Sequence, residues 1–161
     1  MDRAPNPIDP LAQTVASAVE AGPPVFVPKR ASDASSRELF YELLVLALGN
    51  LYTRMPIGCP LFDRAMIKAV TGHMADNDAG KLVGKAEDWI RQENLVRAQE
   101  GQKSYCLSLE SIAALEHQTN SSSLGQLMEQ ASLAYAAGAP SPDMRRATRK
   151  LGAAFLTRYK A

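Results

Sequence analysis

Cysteine is scarce in this chain. Cys59 and Cys106 are the only two, and they stand too far apart for a C-x-x-C spacing. That excludes a disulfide framework and a thiolate metal knuckle, and leaves two reduced, partly buried thiols of a cytosolic protein as the expectation. Histidine is equally sparse. His73 and His117 have no Cys, Glu or second His at ligand spacing, so no metal site is expected. Long apolar runs are missing too. The longest, Leu43–Leu48, is far short of a membrane span, and no integral membrane segment is expected. The start, MDRAPNPIDP, has no apolar core of a secretion signal, so a cytoplasmic location is expected.

Catalytic patterns are absent as well. Ser121-Ser122-Ser123 has no nucleophile-elbow context and no partnered base. Gly80 and Gly84 do not make a phosphate loop. Glu38 and Glu42 lie one helical turn apart, but beside a helix start they read as local helix residues rather than as a catalytic pair. The expectation is a non-enzymatic protein without a cofactor.

The net charge of +1 hides an asymmetry. Residues 1–34 carry net −1, residues 35–118 net −2 and residues 119–161 net +4. With 161 residues, the chain is long enough for one domain with a core of its own.

Three segments follow from the pattern. Residues 1–34 form an arm broken by Pro5, Pro7, Pro10, Pro23, Pro24 and Pro28. Asp9-Pro10 can open a short helix through Ala21. PPVFVP, residues 23–28, reads as extended chain, and Val25, Phe26 and Val27 are apolar enough to pack on the domain or on a partner, as an added strand for example.

Residues 35–118 form the core. Ser35 and Glu38 have capping-box spacing. The helix behind them is apolar nearly all round, which demands cover from the C-terminal helices, the arm or a second subunit. A homodimer through Leu39, Phe40, Leu43, Leu46 and Phe26 is expected. A second short helix spans Leu61–Gly72. A third runs from about Ala79 to Asn94, with Leu82, Val83, Ala86, Trp89 and Ile90 inward and helix-start chemistry at Asp76 and Asp78. Then the period changes. Leu95–Ala98 reads as a strand, Glu100-Gly101-Gln102 as a turn, and Tyr105, Leu107 and Leu109 alternate with Ser104, Cys106 and Ser108. Ser108 can cap a further helix, with Glu110 in its first turn.

Residues 119–161 add two helices. One is built on Leu124, Leu127, Met128, Ala131 and Tyr135. The last opens at Ser141-Pro142, with Ala147, Leu151, Ala154 and Phe155 on one side and Arg145, Arg146, Arg149, Lys150 and Lys160 on the other. The fold class expected is mainly α: a winged helix-turn-helix core of three helices plus a β-hairpin, with two additional C-terminal helices.

Particular residues strengthen that order. Leu51, Tyr52, Met55 and Pro56, the run AEDWIRQENLV from Ala86, and YCLSLESIAAL from Tyr105 resemble uncharacterised bacterial winged-helix proteins over about residues 36–117. In those, Trp-Leu-x-x-Glu-Gly-Leu-Ile enters the wing and Leu-Thr-x-x-Gly opens the next helix. Trp89, Ile90, Glu93, Leu95 and Val96 match. Asn94 stands where Gly is usual, Ser108 where Thr is usual, and Ser111 replaces the second Gly. The resemblance implies a winged helix and, by analogy, DNA binding or protein contact.

The leading expectation is a non-enzymatic DNA-binding protein, a transcription regulator in form, with Lys81, Lys85 and Arg91 at the major groove. Arg97 and Lys103 would serve the wing, and Arg145, Arg146, Arg149 and Lys150 the phosphates. Glu87, Asp88 and Glu100 among these cations would repel a duplex. The competing reading is a protein-interaction module on the same scaffold, and a weaker third is attachment of the last helix to an acidic membrane surface.

Overall fold

The structure is a computed structural model that describes residues 35–99, 104–118 and 121–160. Among these the order is α1 (Ser36–Arg54), α2 (Arg64–Thr71), α3 (Asp76–Gln92), β1 (Val96–Ala98), β2 (Tyr105–Leu107), α4 (Leu109–Leu115), α5 (Leu124–Ala137) and α6 (Pro142–Tyr159). The architecture is mainly helical with one small antiparallel sheet. The arm at residues 1–34, with the proposed helix and Phe26, lies outside the described residues, as do the turn residues 100–103.

The helices begin where local chemistry satisfies their first amides. The Ser35 hydroxyl accepts from the Glu38 amide at 3.1 Å, and the Ser35 amide donates to the Glu38 carboxylate at 3.0 Å, completing the capping box. Ser123 and Gln126 repeat the motif at α5. Ser108 caps α4 and Ser141, followed by Pro142, caps α6. Two starts differ from expectation. Asp63 caps α2, so Leu61 and Phe62 precede that helix. Helix α3 begins at Asp76, one turn early, and Ala75 caps it without a side-chain bond. Asp76 and Asp78 sit inside its first turn, where they favour the helix dipole instead.

Helix α1 is the axis of the core. Leu39, Leu43, Leu44, Val45, Leu46, Ala47, Leu48 and Leu51 are all buried within one chain. Helices α5 and α6 lie along α1 more extensively than any other element. Leu39, Leu43 and Leu46, expected at a dimer contact, are covered by elements of the same chain. Phe40 is half-buried and meets Trp89 edge-on, with ring centroids 5.0 Å apart.

Close helix crossings depend on missing side chains. A Cβ at Gly49 would lie 2.5 Å from the Met128 carbonyl oxygen, and one at Gly152 would lie 2.9 Å from that of Tyr41. These glycines set how near α5 and α6 approach α1. Gly84 on α3 is the opposite case, since a Cβ there meets nothing within 4 Å.

In the hairpin, Val96 pairs with Leu107, Arg97 with Cys106 and Ala98 with Tyr105. Cys59 adds a bridge on the far side of β2, exchanging both backbone hydrogen bonds with Tyr105 at 3.1 and 2.9 Å. Asn94, before β1, has φ 60°, the left-handed region that Gly takes most easily and Asn tolerates. One side chain departs from the period-two pattern. Tyr105 and Leu107 face inward, but Leu109 is 71% exposed. The strand ends when Ser108 caps α4, and Leu109 becomes its first residue and turns outward.

Two glycine substitutions should therefore act in opposite directions. Gly49→Ala is expected to destabilise the fold by about 1–3 kcal/mol, because a backbone carbonyl must move. Gly84→Ala should stabilise it by up to about 1 kcal/mol, because an exposed helix interior gains propensity. Urea denaturation midpoints of the two variants check both signs.

Candidate functional site

The most polar point of the interior is Glu42, whose side chain is fully buried in the middle of α1. Arg145 Nε donates to its Oε1 at 2.8 Å, and Arg149 Nε to its Oε2 at 2.7 Å. The Tyr135 hydroxyl donates to Oε1 at 2.7 Å. Arg145 also donates through Nη2 to the Val70 carbonyl at 2.8 Å, and Arg149 Nη1 stands 3.7 Å from the Glu38 carboxylate. One carboxylate thus joins α1 to α5 and α6, and Arg145 carries the connection on to the end of α2. Burial first, then the Glu42 charge, pushes the Tyr135 phenol far up, so it remains a donor.

This geometry assigns Arg145 and Arg149 an internal task. Their side chains are 13% and 19% exposed, and their nearest charges are carboxylates of the same chain. Arg146, on the outer side of α6, is paired with Asp143. Lys150 is exposed and makes no ion pair among the described residues. The basic face expected on the last helix is therefore divided between an inner and an outer half.

The cations on α3 are where the period places them. Lys81, Lys85 and Arg91 are exposed, and Arg91 stands 3.8 Å from Asp88. Asp76 and Asp78 are exposed at the N-terminal end of the same helix. Arg97 is exposed on β1, and Lys103 lies outside the described residues. Among the described residues, no shared partner joins Arg97 to Arg145 or Arg149.

A different surface assembles on the hairpin. The face bearing Arg97 and Cys106 forms the floor of an open groove of about 620 Å³. Met55, Pro56, Ala98, Gln99, Leu107, and Leu109 and Ile112 of α4 complete its lining. Exposed Ile57, at 73%, adjoins Pro56. Cys106 is half-buried here and accepts from the Gln99 amide nitrogen at 3.3 Å, whereas Cys59 is buried and its thiol is pushed up by that burial.

The groove borders an open strand edge. Gln99 N donates to Ser104 O at 2.9 Å and Ser108 N to Leu95 O at 3.0 Å, which fixes Arg97 as the paired residue between them. The backbone groups of Val96 and Ala98 must then point away from β2. They have no backbone partner among the described residues. Sequence reasoning missed this surface because it counted Leu109 as an inward strand residue.

Among the described residues, no group of three or more His, Cys, Asp or Glu could hold a metal ion. No described helix is long and apolar enough to cross a membrane. His73 lies beside the Glu42 cluster, and its Nε2 is buried without a hydrogen-bond partner among the described residues. Burial, then Arg145, lowers its pKa below the ordinary 6.5.

Two predictions follow from the cluster. Glu42→Leu leaves two nearly buried guanidiniums without their carboxylate, and is expected to cost about 3 kcal/mol, at the lower end for broken buried pairs because the arginines keep some solvent. Chemical denaturation of the variant measures it. His73 is held neutral in the folded chain, so its contribution is complete above pH 6.5 and is lost as pH falls through the lowered folded value. The stability of the wild type should therefore fall more steeply below pH 6.5 than that of His73→Gln, as denaturation at a series of pH values would show.

In comparison with known proteins, the chain matches no family model, no curated protein and no solved structure.

Proposed function

We propose that residues 36–115 form a winged helix that serves as a protein-interaction module, with the groove on the hairpin as its binding surface. The observation that carries this reading is the exposure of Leu109 in an open groove whose lining includes Arg97 and Ala98 of the edge strand β1. An extended segment of a partner would pair with the Val96 and Ala98 backbone and seat apolar side chains between Met55 and Leu109. Main-chain bonding gives such a site affinity, and the groove gives it selectivity.

Duplex DNA binding through α3 is the second reading. What favours it is the exposed face with Lys81 and Lys85, where Gly84 leaves the helix backbone open to close approach. Three features count against it. Asp76 and Asp78 occupy the end of α3 that a recognition helix points at bases. Arg145 and Arg149 are engaged by Glu42. Arg146 is engaged by Asp143. Three of the four α6 cations expected at the phosphates are thereby drawn away from them.

One pair of binding experiments separates the readings. Short random peptides displayed on phage should enrich on the wild-type chain and lose that enrichment on Leu109→Asp, with α3 intact. A fluorescent duplex pool at low salt should show no salt-sensitive anisotropy change. Duplex binding that weakens steeply with salt and falls in Lys81→Ala/Lys85→Ala, with no peptide enrichment, would replace the interaction reading with the DNA reading.

A further inference from the structure

We infer that the partner segment received by this groove carries an acidic side chain among apolar ones, and that Arg97 is the residue that selects it. The inference rests on reading the groove as a site for extended chain, and it names the chemistry of that chain.

Charge is the first ground. Arg97 is the one charged residue of a lining that includes Met55, Pro56, Leu107, Leu109 and Ile112. It is exposed and makes no ion pair among the described residues. Its polar neighbour is already engaged. The Gln99 side chain donates through Nε2 to the Cys106 sulfur at 3.3 Å and accepts from the Ser104 hydroxyl at 2.8 Å. It also lies against Gly58, where a Cβ would stand 2.7 Å from its Oε1. Among the lining side chains, the guanidinium is therefore the strong donor left for a ligand. Its planar fork of N–H groups matches a carboxylate. A phosphate would bring nearly two charges, and one guanidinium among apolar side chains leaves the second without a partner.

Position is the second ground. Arg97 pairs with Cys106, so its own backbone groups face β2. On the outer edge, an antiparallel segment would meet Arg97 at a non-hydrogen-bonded position. Directly opposed side chains approach most closely there, with Cα atoms about 4.5 Å apart. An opposite charge at that point is favourable and a like charge is not. Val96 and Ala98, before and after Arg97, have backbone groups with no backbone partner among the described residues. A partner that bonds to both continues past the acidic residue in each direction. The carboxylate is then on a side chain, not at a chain terminus.

The test repeats the peptide selection with Arg97 as the variable. Short random peptides, displayed on phage through their C-terminal ends so that no terminal carboxylate is offered, are enriched on the full wild-type chain and on Arg97→Glu. The wild type should enrich Asp or Glu among apolar residues, and Arg97→Glu should enrich Lys or Arg instead. A leading wild-type peptide is then synthesised with an amidated C-terminus, and its Kd is measured by fluorescence anisotropy. Lysine in place of its acidic residue should weaken binding to the wild type by about tenfold and strengthen binding to Arg97→Glu by a similar factor. Because Arg97 is exposed, Arg97→Glu should keep the wild-type urea midpoint. Enrichment that depends on Leu109 but favours no acidic residue, or that is the same on Arg97→Glu, would overturn the inference and leave the groove reading standing. Absence of any enrichment would overturn both. A Leu109-dependent dimer in sedimentation, with no peptide enrichment, would make a second copy of the chain the occupant and overturn the acidic-segment assignment.

Discussion

A single buried carboxylate organises this molecule. Glu42 sits among the buried apolar residues of α1, where an unpaired charge would cost roughly several kcal/mol in desolvation alone. It is tolerated because Arg145, Arg149 and Tyr135 all converge on it. The cluster demands a particular placement of α6, since only one rotation and one height along α1 bring both guanidiniums to the carboxylate. Gly152, against the Tyr41 backbone, permits the approach that those bonds need. Apolar burial alone would accept several sliding positions of α6. The ionic cluster accepts one.

That constraint reaches the surfaces available for function. By turning Arg145 and Arg149 inward, Glu42 takes much of the positive charge of the C-terminal segment out of play. What α6 leaves outside is a shorter set, Lys150 and the Asp143-paired Arg146 among it. Meanwhile the Tyr159 hydroxyl donates to the Glu93 carbonyl at 3.1 Å, tying the far end of α6 to the corner that leads into β1. The hairpin is thus presented on a braced support. Its outer face carries the groove, and its outer edge carries backbone groups of Val96 and Ala98 that have no backbone partner among the described residues.

Much of this was legible in the residues. Capping oxygens at Ser35, Ser108 and Ser141 announced helix starts, because local hydrogen bonds need only neighbours in sequence. The apolar circumference of α1 implied cover from elsewhere, and α5 and α6 are the elements that provide it. Glu42 was not legible as a centre. Its partners are 103 and 107 residues away, and no local periodicity encodes that pairing. Periodicity alone places the whole basic face of the last helix outward, for the same reason. Leu109 was misplaced because a strand period and a helix cap compete at Ser108, and the cap prevails. Asn94 stands where the resembled family has Gly, and its left-handed backbone supplies the physical cause.

The central claim is that α6 belongs to the same cooperative unit as α1, fastened through Glu42. Native-state hydrogen exchange of the wild-type chain tests it most directly. Amides near Leu151 and Phe155 in α6 should exchange with the same opening free energy as those near Leu44 and Leu48 in α1, equal to that of global unfolding. Exchange of α6 through an opening well below the global value would contradict the account, because it would mean that the last helix detaches while the rest of the fold stands.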